Sequence, residues 1–205
     1  MTFDSQKCEL KGSQSELHSI GYRNRTDKTW IQPDGLSYLV YYERYMRERR
    51  SHIRLLEIGV RDGASLKTWN EYFSDSSFVG IDIDPSCNRL TEYQNIEVIV
   101  QDAKNPQLVE ALRSGAQFDY IIDDGSHLYS DIVRCLELYF PLLKPDGTFI
   151  IEDLGTVDRM APGTISNLLG LIYGRLRNIR VDMYHDTLIL SRLLPHESAA
   201  ATSSN

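Results

Sequence analysis

Phe118-Asp119-Tyr120-Ile121-Ile122-Asp123-Asp124-Gly125-Ser126-His127 runs from a nearly unbroken apolar segment into two carboxylates, a Gly-Ser turn and an imidazole. A short apolar run bounded by turn formers reads as a buried strand. In open α/β sheets ligands sit beyond the carboxyl ends of strands. Asp123, Asp124 and His127 therefore stand where chemistry is expected. A second run, Gly147-Thr148-Phe149-Ile150-Ile151-Glu152-Asp153, ends in two more carboxylates. One helical pattern, with Ile132, Val133, Leu136, Phe140 and Leu143 on one side, fills residues 130–143 between the runs.

Two strands joined by one helix are expected to be neighbours, about 4.8 Å apart. Asp124 and the Glu152-Asp153 pair then converge, and each close pair of like charges costs roughly 1 to 4 kcal/mol depending on the local dielectric. Two outcomes are open: a hard divalent cation holds them, or they splay into water. An all-oxygen donor set favours Mg²⁺, Mn²⁺ or Ca²⁺ over Zn²⁺. Successive side chains of an extended chain point to opposite sides, so Asp123 can face a cofactor while Asp124 faces the metal. A lone histidine is ordinarily structural. Beside a metal and a cofactor mouth, His127 instead becomes a base able to take a hydroxyl proton near neutral pH. His185 reads as a turn residue.

Upstream, apolar strands are expected at residues 53–60, 78–83 and 96–100, with helices at 36–49, 65–73 and 107–113. Asn105-Pro106 supplies an N-cap and first-turn proline for the last of these. Residues 21–28 read as a polar loop and Lys144-Pro145-Asp146-Gly147 as a tight turn. After a helix over 165–177 come two strands, 179–184 and 187–193, split by His185-Asp186, which can only be an antiparallel hairpin. The fold class is thus α/β: a mostly parallel seven-stranded sheet with a C-terminal antiparallel hairpin, the layout of the Rossmann-like methyltransferases.

The corner Glu57-Ile58-Gly59-Val60-Arg61-Asp62-Gly63-Ala64-Ser65 passes from strand through glycines to a helix start. Glycines let the backbone approach a ligand, and a helix N-terminus attracts an anionic group. The next strand ends about 20 residues on in Asp82, placed to accept from ribose hydroxyls. Asp102 follows the third strand and is placed for the base. The corner lacks a compact pyrophosphate cradle, so phosphate-free S-adenosylmethionine fits better than NAD.

The chain has 205 residues and a formal net charge of -7, with Cys8, Cys87 and Cys135 scattered along it. The charge disfavours a general nucleic-acid binder or an anionic-membrane binder. Scattered cysteines without metal spacing suggest reduced thiols and a cytoplasmic setting. No apolar stretch approaches about 18 residues, so no spanning helix is expected. The expected organisation is a flexible segment 1–16, one methyltransferase domain over 17–195 with a helical cap at 17–50, and a disordered tail 196–205. The length leaves no room for an added N-terminal domain.

Several of these stretches resemble the metal-dependent sugar O-methyltransferases of macrolide biosynthesis, the mycinamicin and macrocin type, over roughly residues 22–192. The matching segments are Thr26-Asp27-Lys28 with Tyr42-Glu43, Glu57-Ile58-Gly59-Val60, Ser65-Leu66-Lys67-Thr68-Trp69, Gly80-Ile81-Asp82-Ile83, Ile122-Asp123-Asp124-Gly125-Ser126-His127, Ile151-Glu152-Asp153 and Tyr184-His185. The resemblance implies that Asp124, Glu152 and Asp153 bind Mg²⁺ and that His127 is the general base. It implies that Gly59, Ser65, Asp82, Asp102 and Asp123 hold S-adenosylmethionine. It implies a small-molecule hydroxylated acceptor, such as a sugar hydroxyl of a glycosylated natural product in antibiotic biosynthesis. Arg25 departs from the family, which often has glycine before Thr-Asp-Lys, and the glycine loop and the segment 154–178 are shorter. Two rival readings stand beside this one: a catechol-type O-methyltransferase acting on an aromatic diol, and a non-catalytic cofactor-binding subunit of a biosynthetic complex. Whether the chain forms a homo-oligomer is open.

Overall fold

The computed structural model describes residues 15–87, 90, 92–154 and 163–194. The expectations for the first 14 residues and for the tail 196–205 lie outside the described residues. The described residues up to 100 and those from 101 onward form two compact units.

The first unit holds α1 (Glu16–Asn24), α2 (Tyr38–Met46), β1 (Arg54–Ile58), α3 (Ala64–Tyr72), β2 (Ser77–Asp82) and β3 (Ile96–Val100). Its strands are parallel in the order β3-β2-β1, with Leu56 opposite Val79 and Val79 opposite Glu97. Apolar side chains on both faces explain why β1 reads as a nearly continuous apolar run, as strands covered on two sides do. Leu55, Leu56, Trp69, Phe73, Phe78 and Ile81 are buried here.

Helix α1 corrects the sequence reading, which took 21–28 as loop. Ser15 caps it, its Oγ accepting the His18 N–H at 3.1 Å. Leu17, His18, Ile20 and Gly21 form its buried side. Gly21 is not a breaker here, because a Cβ at this position would stand 2.2 Å from Leu39 Cδ1. The glycine permits close helix packing, and a polar-looking sequence therefore hides a helix.

His18 is buried, with Nδ1 2.7 Å from Ser37 Oγ, and burial lowers its pKa from the ordinary 6.5. The fold thus favours the neutral ring. This contribution is present above the ordinary imidazole range and is lost as pH falls through the lowered value. Urea midpoints measured from pH 7 down to 5 should fall, and His18→Gln should flatten that slope. An unchanged slope would contradict this assignment.

The second unit holds α4 (Pro106–Arg113), β4 (Phe118–Asp123), α5 (Tyr129–Tyr139), β5 (Leu143–Ile151), α6 (Thr164–Arg175), β6 (Ile179–Tyr184) and β7 (Thr187–Arg192). β4 and β5 are parallel neighbours, with Ile122 opposite Ile150 and Asp123 opposite Ile151. β5 pairs antiparallel with β7, and β7 with β6. All seven strands belong to one sheet, mostly parallel and closed by the antiparallel hairpin.

Lys144-Pro145-Asp146-Gly147 also differs from expectation. It is not a turn before β5 but an irregularity within it, since Phe118 pairs with Leu143 and Tyr120 with Thr148. Proline is tolerated in a sheet at such a bulge. Lys144 Nζ lies 2.9 and 2.8 Å from the two carboxylate oxygens of the buried Asp119, which anchors the irregular stretch to β4. Cys87 and Cys135 are free, buried thiols. Burial is the main cause that raises the pKa of each. Among the described residues no helix is long and apolar enough to cross a membrane.

Candidate functional site

Strand β4 ends in Asp123 and β5 in Ile151, and the two are register partners. The Glu152 N–H donates to the Asp123 carbonyl at 3.0 Å, carrying the pairing one residue further. The carboxylates that follow are therefore delivered to one end of the same strand pair.

Asp124, His127 and Asp153 offer one ligand atom each, all within 4.8 Å of one another. His127 Nε2 lies 3.9 Å from Asp124 Oδ1 and 3.7 Å from Asp153 Oδ2, and all three side chains are partly exposed. Two carboxylates at such a separation repel by about 3 kcal/mol at an effective dielectric of about 20. A cation among them removes that cost. Carboxylate oxygens suit Mg²⁺ or Mn²⁺, whereas an imidazole nitrogen suits softer divalent ions. Among the described residues Glu152 does not join this trio. Its side chain is only 2% exposed.

His127 and Asp153 adopt φ of 56° and 57°, the left-handed region, which residues with a β-carbon enter at a cost of order 1–3 kcal/mol. Asp153 follows the end of β5 by two residues and belongs to the cluster, and the intervening Glu152 is buried.

Asp123 is not part of this trio. It is 5% exposed. Its Oδ1 accepts the Gly125 N–H at 3.3 Å, and its Oδ2 is buried with no hydrogen-bond partner among the described residues. Burial pushes its pKa up to about 7, the Gly125 N–H opposes this, and the nearby Asp124 and Asp131 add to the rise. A buried carboxyl oxygen without a partner is costly. It fits a ligand that brings a donor, such as an adenine amino group. Asp102 is exposed. Its Oδ1 accepts the Lys104 N–H at 2.9 Å.

The remaining sequence-predicted cofactor residues belong to the first unit. Gly59 has φ of 91°, and its N–H donates to the Ile81 carbonyl at 2.8 Å. Asp82 Oδ2 accepts the Val60 and Arg61 N–H groups, both at 2.8 Å, and its Oδ1 accepts the Asp84 N–H at 2.9 Å. Three of a carboxylate's roughly four acceptor positions are thus engaged by backbone. Asp82 shapes the glycine corner and retains capacity for one further donor. Ser65 is buried, and its hydroxyl donates to Glu57 Oε2 at 2.8 Å.

Glu57 is the centre that the sequence reading left unassigned. It is fully buried, also accepts the Trp69 indole N–H at 3.1 Å, and pairs with the buried Lys28 at 3.4 Å. Arg61 donates to Asp27 Oδ2 at 2.5 Å. The Thr26-Asp27-Lys28 stretch thereby braces both β1 and the glycine corner. Its charged composition is the one signal that could have suggested this.

A family model described as "Methyltransferase domain" matches residues 56–154, the span from β1 to just past Asp153. Just under half of the chain is thus similar to a methyltransferase domain. This chain is similar to a demethylmacrocin O-methyltransferase of Streptomyces fradiae, with 34% identity over 125 residues, 57% of this chain and 31% of that one. It is also similar to an 8-demethyl-8-alpha-L-rhamnosyl tetracenomycin-C 2'-O-methyltransferase of Streptomyces olivaceus, with 31% identity over 150 residues, 68% of this chain and 38% of the relative. The chain thus spans about a third of the length of these curated relatives. Among solved structures it resembles the MycE methyltransferase of the mycinamycin biosynthetic pathway, in complex with Mg, SAH and mycinamycin VI. That match has 25% identity and a TM-score of 0.73, covering 93% of this chain and 60% of the other. The domain has the Rossmann-like methyltransferase fold that the alternation of strands and helices implied.

Proposed function

We propose that this chain is the catalytic part of an S-adenosylmethionine-dependent, Mg²⁺-dependent O-methyltransferase acting on a sugar hydroxyl of a glycosylated small-molecule natural product. One observation carries the reading. Asp124, His127 and Asp153 converge at the ends of two adjacent strands, within the region that matches a methyltransferase domain. Two relatives are named for a rhamnosyl tetracenomycin-C and an L-olivosyl-oleandolide acceptor, and the MycE complex contains Mg and SAH. The scattered cysteines favour a reducing, cytoplasmic setting.

Asp124 and Asp153 are the metal ligands of this reading, with Glu152 as the third carboxylate that the motif supplies. Asp123, Asp102, Asp82, Ser65 and Gly59 serve S-adenosylmethionine. Ser65 acts through Glu57 and Asp82 through the corner backbone, given their bonds. Asp123 Oδ2 suits a donor on the cofactor. The metal would supply Lewis acidity and fix neighbouring hydroxyls, and the sulfonium would supply an already activated methyl group. The chain's own work is positioning and proton removal. His127 Nε2 would take the proton of the acceptor hydroxyl, whose oxygen would gain the methyl group as the sulfonium S–C bond breaks and leaves a neutral thioether.

The geometry favours one second reading of a single residue. His127 stands within ligand distance of the same point as Asp124 and Asp153, so it would be a metal ligand and not the base. The two roles differ in metal affinity, a difference the His127→Ala variant reveals.

The deciding experiment titrates S-adenosylmethionine with and without Mg²⁺, then offers glycoside and catechol acceptors with methylated product read by mass spectrometry. The expected result is cofactor binding, glycoside methylation and loss of turnover in EDTA that added Mg²⁺ restores. Catechol methylation alone would move the reading to aromatic diols. Absent cofactor binding would refute it.

A further inference from the structure

Asp131, in the first turn of α5, touches neither the metal-site trio nor Asp123 through any hydrogen bond or ion pair described for it, yet it organises the loop that carries His127. The Ser126 hydroxyl donates to Asp131 Oδ2 at 2.8 Å. The same hydroxyl oxygen accepts the Leu128 N–H at 3.3 Å. The Asp131 N–H in turn donates to the Leu128 carbonyl at 2.9 Å. The residues on both sides of His127 are thus tied to each other and to Asp131. Lys104 Nζ donates to the same oxygen, Asp131 Oδ2, at 2.8 Å, and Lys104 follows the Asp102 turn by two residues.

This bracing has a specific task. His127 holds a left-handed backbone, φ 56°, a conformation that persists only where its surroundings over-determine it. A partly exposed five-residue loop, 124–128, does not do so alone. We propose that Asp131 is a positioning residue for His127, acting through the Ser126 hydroxyl and itself held by Lys104. The inference rests on the reading of His127 as a working group of the site. Lys104 keeps the Asp131 carboxyl below the usual carboxylate range, with burial opposing and Ser126 assisting, so Asp131 is the anion that both donors require.

The test combines kinetics with a readout independent of activity. The imidazole Cε1–H resonance of His127 is followed by ¹³C NMR in wild type and in Asp131→Ala, Asp131→Asn and Ser126→Ala, with His18, His52 and His185 as internal controls. Asp131→Ala should broaden or shift the His127 signal and leave the control signals in place. It should lower kcat on the order of 10-fold, with KM for S-adenosylmethionine and Mn²⁺ affinity within about twofold. Ser126→Ala should do the same. Ser126→Thr, which keeps the hydroxyl, should restore both readouts. Asp131→Asn should fall between, since an amide oxygen accepts both donors more weakly. The double variant Ser126→Ala/Asp131→Ala should be no worse than either single change, because both act through one bond. An unmoved His127 signal with unchanged kcat, or additive losses in the double variant, would overturn the proposal. If wild type methylates nothing yet the His127 signal still responds to Asp131→Ala, the positioning role stands and the methyltransferase reading falls.

Discussion

His127→Ala is expected to lower turnover on the order of 10²-fold or more, while S-adenosylmethionine affinity stays within about twofold. The imidazole stands 3.7 and 3.9 Å from two carboxylate oxygens and is partly open to solvent. It is thus within reach of both a bound cation and an incoming hydroxyl. Removing it deletes a proton acceptor and leaves the buried Asp123 untouched, which is why binding and turnover should separate. Mn²⁺ affinity, measured by electron paramagnetic resonance, decides the role. Unchanged affinity with collapsed kcat identifies the base. A weakening of about 10- to 100-fold identifies a ligand, in line with what losing a group from a metal site costs. Full activity in the variant would remove His127 from the mechanism altogether.

The second large effect concerns stability. Lys28→Met should destabilise the fold by roughly 3–5 kcal/mol, the range for removing one partner of a buried ion pair. Lys28 is 2% and Glu57 0% exposed at the side chain, and their charged atoms are 3.4 Å apart. Without the ammonium, Glu57 loses a buried counter-charge, while the Ser65 hydroxyl and the Trp69 indole still donate to its carboxylate. Adding Glu57→Gln should recover part of the loss, because a neutral amide no longer needs a counter-charge. Chemical denaturation of the single and double variants checks both statements. A loss below about 1 kcal/mol in Lys28→Met would mean that the pair is solvated.

The parallel part of the sheet was legible because its strands are largely apolar runs that stop at a polar or turn-forming residue, and because strands and helices alternate there at a steady pace. Helix α1 was legible only as part of a helical cap over 17–50, and its last residues were read as loop, because its buried stripe contains His18 and Gly21, residues that read as polar and as a breaker. The stretch from Lys144 to Gly147 was misread because proline and glycine signal a turn locally, whereas here β5 absorbs them as a bulge. The site divides in the same way. That carboxylates gather at the ends of β4 and β5 follows from strand order. Which of them face one another does not, since Asp124 and Asp153 lie beyond the strand ends, where the alternation that sequence reasoning relies on no longer holds. Asp82 and Ser65 show a further limit. Residue type and position marked them for a ligand, but their bonds to backbone and to Glu57 depend on neighbours that are distant in sequence.

The left-handed backbone at His127 and Asp153 also sets how this domain would respond to engineering. Glycine occupies that conformation without strain, so a library ranked by heat tolerance alone would enrich glycine at both positions. On the reading of His127 and Asp153 as working groups, its most robust members would be inert. Any hardening of the scaffold must therefore draw its gains from elsewhere and hold these two codons fixed.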